Sequence, residues 1–107
     1  MNQMPDLRLA KEFRRRAEMA LPGRVAKVVL FGSRARGDAR GDSDWDIAVF
    51  LTGSFKAEDQ WALSDEAFEL MVGSGDTSLI QPIAFRAERE MEHTQLMRHI
   101  REEGLTV

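Results

Sequence analysis

The sequence predicts an α/β chain, an α+β sandwich in which a small mixed β-sheet of three or four strands is backed by helices. Three observations lead there. Helical and extended patterns alternate along the chain. The run Val25-Ala26-Lys27-Val28-Val29-Leu30-Phe31 is apolar almost throughout, as in a strand covered on both faces. Pro82 sits inside a later extended run, which marks an edge or bulged strand because proline cannot donate to a ladder.

Each element has a local reason. Asp6 caps a first helix over about 7–20, in which Leu9, Phe13, Ala17, Ala20 and Leu21 recur at helical spacing, and Pro22-Gly23 stops it. The first strand covers about 25–31. The loop 37–43 is rich in Gly, Asp and Arg, and a second strand over about 44–51 is ended by Thr52-Gly53-Ser54. A helix over about 57–72 follows, with Trp61, Leu63, Ala67, Phe68, Leu70 and Met71 as its apolar content, and Gly73-Ser74-Gly75 breaks it. The third strand covers about 78–85. A last helix over about 87–103, whole or in two pieces, ends at Gly104. With no repeat, linker or low-complexity tract, the expected organisation is a single domain over 1–107.

Composition sets outer limits. A chain of 107 residues can build a real core but has no room for a second substrate-binding domain. It contains no cysteine, which excludes disulfides and thiolate metal sites and fits a cytoplasmic setting. No apolar run approaches the ~20 residues that cross a bilayer, so no membrane role is expected. The net charge of −3 divides unevenly. Residues 1–40 carry ten Lys or Arg against four Asp or Glu, and residues 41–107 carry five against fourteen. The basic third can face phosphates, while the acidic remainder suits a metal site or a basic partner, or both are simply solvated helix surface. Overall acidity argues against nucleic acid as the principal ligand.

Function is carried by a spacing. Gly32-Ser33 closes the first strand, and after ten intervening residues Asp44-Trp45-Asp46 opens the second. Gly32 lacks a side chain, so a phosphate can approach the backbone and the chain can turn sharply. Ser33 adds a hydroxyl and leads a short helical turn through Arg34, Ala35 and Arg36, whose first N–H groups favour an anion. Residues two apart on a strand share a face, which sets Asp44 and Asp46 side by side, roughly 6.5 Å apart at Cα. Two such carboxylates repel unless a cation lies between them, and magnesium accepts carboxylate and phosphate oxygens together. Either pair alone means little, since Gly-Ser is usually a turn and Asp-x-Asp often starts a strand. The four positions at this spacing arise by chance in roughly one chain of this length in a thousand.

The stretch Leu30-Phe31-Gly32-Ser33-Arg34-Ala35-Arg36-Gly37-Asp38, followed by Ser43-Asp44-Trp45-Asp46-Ile47, resembles the DNA polymerase beta-like nucleotidyltransferase superfamily. Within it the chain looks most like the minimal nucleotidyltransferases, often encoded as antitoxins beside HEPN-domain toxins. The resemblance implies a nucleotidyltransferase-like fold, with Gly32 and Ser33 on the triphosphate of ATP or another nucleoside triphosphate. It implies Asp44 and Asp46 as the catalytic, magnesium-binding pair. It also implies transfer of a nucleotide, commonly AMP, onto a hydroxyl, in antitoxin members a tyrosine of the toxin.

One feature departs from that pattern. The superfamily places a third carboxylate on a later strand, but Ser78-Leu79-Ile80-Gln81-Pro82-Ile83-Ala84-Phe85 has none. Gln81 or Leu79 takes its place, depending on register. A glutamine amide can ligate weakly but cannot accept a proton at neutral pH. Asp76 can substitute only if the backbone bends towards the site. Three functions stay open: an active transferase acting on a partner toxin, a binding module that neutralises its partner by covering it, and a stand-alone transferase for a small acceptor. The short chain weighs against the last.

Other residues carry weaker assignments. Arg34 either reaches a phosphate or forms a structural contact, Arg36 pairs with Asp42 or Asp38, and Ser43 hydrogen-bonds the loop. Trp45 faces the core, opposite the carboxylates. Trp61 is expected in the core too, although an aromatic near a helix start can mark a partner surface. His93 and His99, six apart on one helix, do not share a face as metal ligands.

Overall fold

The computed structural model describes residues 6–37, 43–75 and 79–107. They form α1 (Arg8–Ala20), β1 (Val25–Phe31), α2 (Ser33–Arg36), β2 (Trp45–Leu51), α3 (Ala57–Ser74) and β3 (Ile80–Arg86). A 3-10 helix (Ala87–Met91), α4 (Gln95–Glu103) and the two-residue β4 (Leu105–Thr106) complete the chain. The strands join in the order β3-β2-β1-β4. β1 lies antiparallel to both β2 and β4, and β2 lies parallel to β3, so the sheet is mixed as expected.

Strand alternation divides the core between two faces. On one face Val28, Leu30, Trp45, Ile47, Val49 and Leu51 pack against Ala10, Phe13 and Ala17 of α1 and Leu63, Ala67 and Leu70 of α3. On the other, Val29, Ala48, Phe50 and Phe85 pack against Met97 and Ile100 of α4. The apolar centre of β1 is therefore covered on both sides, which is why its sequence does not alternate.

β3 is an edge strand, as Pro82 requires. Its outer edge is closed by side chains of α3. The Gln60 amide donates to the Pro82 carbonyl at 2.8 Å and accepts from the Ala84 N–H at 2.8 Å. The Met71 sulfur accepts from the Ile80 N–H at 3.0 Å. Gln60 thus mimics a neighbouring strand.

Several boundaries differ from expectation. Leu7 is the residue that caps α1, and Asp6 sits one place earlier, accepting from the Arg8 N–H at 3.0 Å and pairing with its guanidinium. α3 continues through Gly73 and Ser74 and stops at Gly75. Gly104 is extended, not left-handed, and its reason is space: a Cβ there would lie 2.3 Å from the Ile100 carbonyl oxygen and 2.4 Å from Val29 Cγ1. That close crossing delivers Leu105–Thr106 to the edge of β1 as β4. Trp61 is not core; it is 68% exposed. Leu63, Ala67 and Leu70 already fill the buried stripe of α3, and a residue two positions from Leu63 lies far round the helix from it. His93 lies in the turn before α4, so the two histidines do not share a helix.

One charge holds the β1 entry to α3. Asp59 is the buried charged residue of the described chain, 4% exposed. It accepts from Arg24 Nη1 at 2.6 Å and from the Lys56 N–H at 3.0 Å, while Arg24 also donates to the carbonyls of Thr52 and Ser54. The hydrogen bond from Arg24 holds the Asp59 carboxyl below its ordinary value. Arg24→Ala leaves that carboxylate buried without its cation, and about 2–3 kcal/mol of stability should be lost in urea unfolding. An unchanged midpoint would show that water replaces the guanidinium without penalty.

Candidate active site

The antiparallel pairing of β1 and β2 brings the end of one beside the start of the other, with Phe31 opposite Asp46. Gly32 follows directly, at φ 79° and ψ −158°, a conformation populated essentially by glycine. Its carbonyl accepts from the N–H groups of Ala35 and Arg36 at 3.1 Å, which closes α2 as the expected short turn led by Ser33. A Cβ at Gly32 would sit 2.6 Å from Asp46 Oδ2. The glycine is needed for space as much as for its backbone angles. Among the described residues the Ser33 hydroxyl has no hydrogen-bond partner.

Asp46 is on the α4 face of β2, opposite the core face that holds Trp45 and Ile47. Asp44 lies just ahead of the strand, and its Oδ2 accepts from Gln81 Nε2 at 2.8 Å. Neither carboxylate forms an ion pair with a described residue. Burial first, and the neighbouring Asp44 charge second, push the Asp46 carboxyl above the ordinary aspartate value. Two adjacent carboxylates with no cationic partner among the described residues, one of them partly desolvated, are a donor set that a divalent ion would stabilise.

Register decides the position of the departure. Gln81 is the Cα partner of Asp46 across β2 and β3. Leu79 instead gives its carbonyl to the Trp45 N–H at 2.8 Å. Gln81, then, stands where a third carboxylate is expected, and it offers Asp44 an N–H. Among the described residues no group of three His, Cys, Asp or Glu side chains forms a metal cluster. Asp76 lies outside the described residues. The pair can hold one divalent ion, with further ligands drawn from phosphate or water.

Arg34 is engaged on the core side. Its guanidinium lies 4.3 Å from the centre of the Trp45 ring and donates to the Ser43 carbonyl through Nε at 3.1 Å and Nη2 at 2.9 Å. This ties α2 to the chain entering β2 and so fixes Gly32 against Asp46. The carbonyl of Ser43, rather than its hydroxyl, takes those two bonds. Arg36 pairs with Glu103 at 3.3 Å; Asp38 and Asp42 lie outside the described residues.

A wall of the site escaped sequence reasoning. Leu96, His99 and Glu103 of α4 face Phe31, Gly32 and Arg36 across a groove of about 380 Å³. Glu103 stands between Arg36 and His99, 3.7 Å from His99 Nδ1. No motif marks these residues. They arrive because the Gly104 crossing packs α4 against the far end of β1.

The description "Polymerase beta, Nucleotidyltransferase" belongs to the family model that matches residues 17–107. No curated protein sequence matches the chain significantly. Two solved structures share its fold. A mutant of the toxin–antitoxin MntA–HpeT aligns at 18% identity with a TM-score of 0.63, covering 94% of this chain and 72% of that one. A Sulfolobus solfataricus protein described as a candidate nucleotidyltransferase aligns at 23% identity with a TM-score of 0.57, covering 94% of this chain and 77% of that one. Among the described residues no helix is long and apolar enough to cross a membrane. With the family match spanning both the Gly32-Ser33 turn and the Asp44-Asp46 pair, the chain belongs to the polymerase beta-like nucleotidyltransferases.

Proposed function

We propose that this chain, as a single domain over residues 1–107, transfers a nucleotide, AMP from ATP, onto a hydroxyl of a partner protein. It does so in the cytoplasm as the antitoxin of a toxin–antitoxin pair, with a HEPN-domain toxin as the partner. The observation that carries this reading is the close approach of the Asp46 carboxylate to Gly32, beside Asp44 and with no ion pair to a described residue. Family membership and the fold shared with the toxin–antitoxin MntA–HpeT support it.

In this reading Gly32 admits the triphosphate to the backbone, and Ser33 donates its hydroxyl to a phosphate oxygen. Asp44 and Asp46 hold magnesium, which supplies charge neutralisation at the phosphoryl oxygens when bound. Arg34 keeps the turn and the carboxylates in register through Trp45 and Ser43. The acceptor oxygen attacks the α-phosphorus in line, its proton passes to water, and pyrophosphate leaves. Gln81 orients Asp44 and takes no proton.

The test couples binding to chemistry. Calorimetry should find magnesium-dependent ATP binding, and incubation with the product of the neighbouring gene, ATP and magnesium should raise that partner's intact mass by whole AMP units. Asp44→Asn should abolish the gain. Absence of magnesium-dependent affinity for any nucleotide sinks the proposal. The Gln81 amide bound to Asp44 favours a second reading, a binding module that neutralises its partner by covering it. A tight complex of unchanged mass would select that one.

A further inference from the structure

α3 carries an exposed apolar stripe that neither the core nor the site uses. Trp61, Phe68 and Val72 are 68%, 65% and 68% exposed. Their spacings of seven and four residues place them along one side of the helix. Beside the stripe, Ser64, Ala67, Phe68 and Met71 form a groove of about 350 Å³ against Ile80 and Pro82. Three bulky apolar side chains in a line form the kind of patch that marks an interaction surface.

The charges of the helix itself are all negative. α3 contains five carboxylates and no Lys or Arg. Asp59 is held by Arg24, and Glu66 and Glu69 by Arg16. Glu58 and Asp65 have no cationic partner among the described residues, and they stand three residues before and four after Trp61, one turn to either side. A partner must therefore bring apolar side chains edged with Lys or Arg.

The backbone of the β3 edge narrows the partner's shape. The outward N–H groups of Ile80 and Ala84 and the carbonyl of Pro82 are already taken by Met71 and Gln60. A strand cannot add to this edge without displacing them. A helix can, because it docks through side chains at heptad-like spacing and asks nothing of the sheet.

We propose that the outer face of α3 and its groove against β3 seat one amphipathic helix of the partner protein, apolar towards Trp61 and Phe68 and basic at its margins. Gln81 also lines the groove, and its amide is 2.8 Å from Asp44, so a partner seated there lies near that carboxylate. That consequence rests on the transfer reading; the docking surface does not.

The chain carries its own reporter, because Trp61 is exposed while Trp45 is buried. The probe is a synthetic helical peptide with leucine at heptad spacing and lysine at the margins, compared with the same peptide edged by glutamate. The lysine peptide should shield Trp61 from acrylamide quenching and bind at least about tenfold tighter than the glutamate peptide. Phe68→Ser should weaken it about tenfold, and Asp65→Lys should reverse the preference, both with unchanged far-ultraviolet circular dichroism. Equal binding of the two peptides, or Phe68→Ser binding like the parent, overturns the proposal. So does sedimentation showing a dimer that already buries Trp61, for the occupant is then a second copy. A parallel magnesium–ATP titration reads the transfer site alone: its failure with peptide binding intact removes the transfer reading and leaves the docking surface.

Discussion

Asp46→Asn should abolish magnesium-dependent nucleotide binding and, in the same protein, raise the unfolding temperature without metal. The two effects have one cause. Asp46 lies close against Gly32, partly desolvated and beside Asp44, with no cationic side chain among the described residues pairing with it. Removing the charge relieves the metal-free fold and, on the transfer reading, removes a direct ligand. Loss of groups that merely orient ligands costs 10–100-fold in metal affinity, so loss of the ligand itself should cost more than about 100-fold. The pH dependence has a definite sign. A carboxyl whose folded pKa is raised binds protons more tightly in the native state. Between the ordinary aspartate value of ~3.9 and the raised one, stability contributed by Asp46 therefore falls as pH rises. Thermal melts run upward from about pH 4 should show the downward component in the parent and not in Asp46→Asn, and magnesium with ATP should stabilise only the parent. A variant less stable than the parent at pH 7, without metal, would mean that the carboxylate is well solvated.

Gly32→Ala is expected to fold but to lose about 2 kcal/mol and about 100-fold in magnesium–ATP affinity. A residue held in that backbone region costs about 1–3 kcal/mol. The added Cβ would also lie 2.6 Å from Asp46 Oδ2, so either the carboxylate swings away from Asp44 or the turn lifts off β2. Both responses separate the anion site from the carboxylates. Gly23→Ala supplies the control, because Gly23 has φ 74° with open space around it. It should share the stability loss and keep the affinity. Calorimetry of both variants separates backbone strain from site geometry, and equal affinities would deny the close packing at Gly32 any functional part.

Legibility followed the range of the forces involved. The turn Gly32-Ser33 and the short helix after it were readable because a strand end and a glycine act within a few residues. The edge position of β3 was readable from Pro82, since a missing N–H is a property of one residue. The core face of Trp45 followed from alternation along β2. The position of Trp61 was not readable in the same way. An aromatic in a weakly amphipathic helix can face either side, and competition with Leu63, Ala67 and Leu70 for the sheet decided it. The last helix does end at Gly104, but the cap of α1 shifted from Asp6 to Leu7 for a reason of geometry that a residue type alone does not state.

The sequence by itself determined the groups on offer: a glycine-serine turn at a strand end, two carboxylates two residues apart and no third acid on the later strand. These follow from side-chain identity and from the two-residue period of an extended chain. Only the tertiary structure decided that Gln81, 37 residues from Asp44, and not Leu79, meets that aspartate. It alone set Asp46 against Gly32, swung α4 across the end of β1 and left the stripe on α3 uncovered. The physical reason is register and packing, which pair residues far apart in the chain and cannot be read from either partner alone.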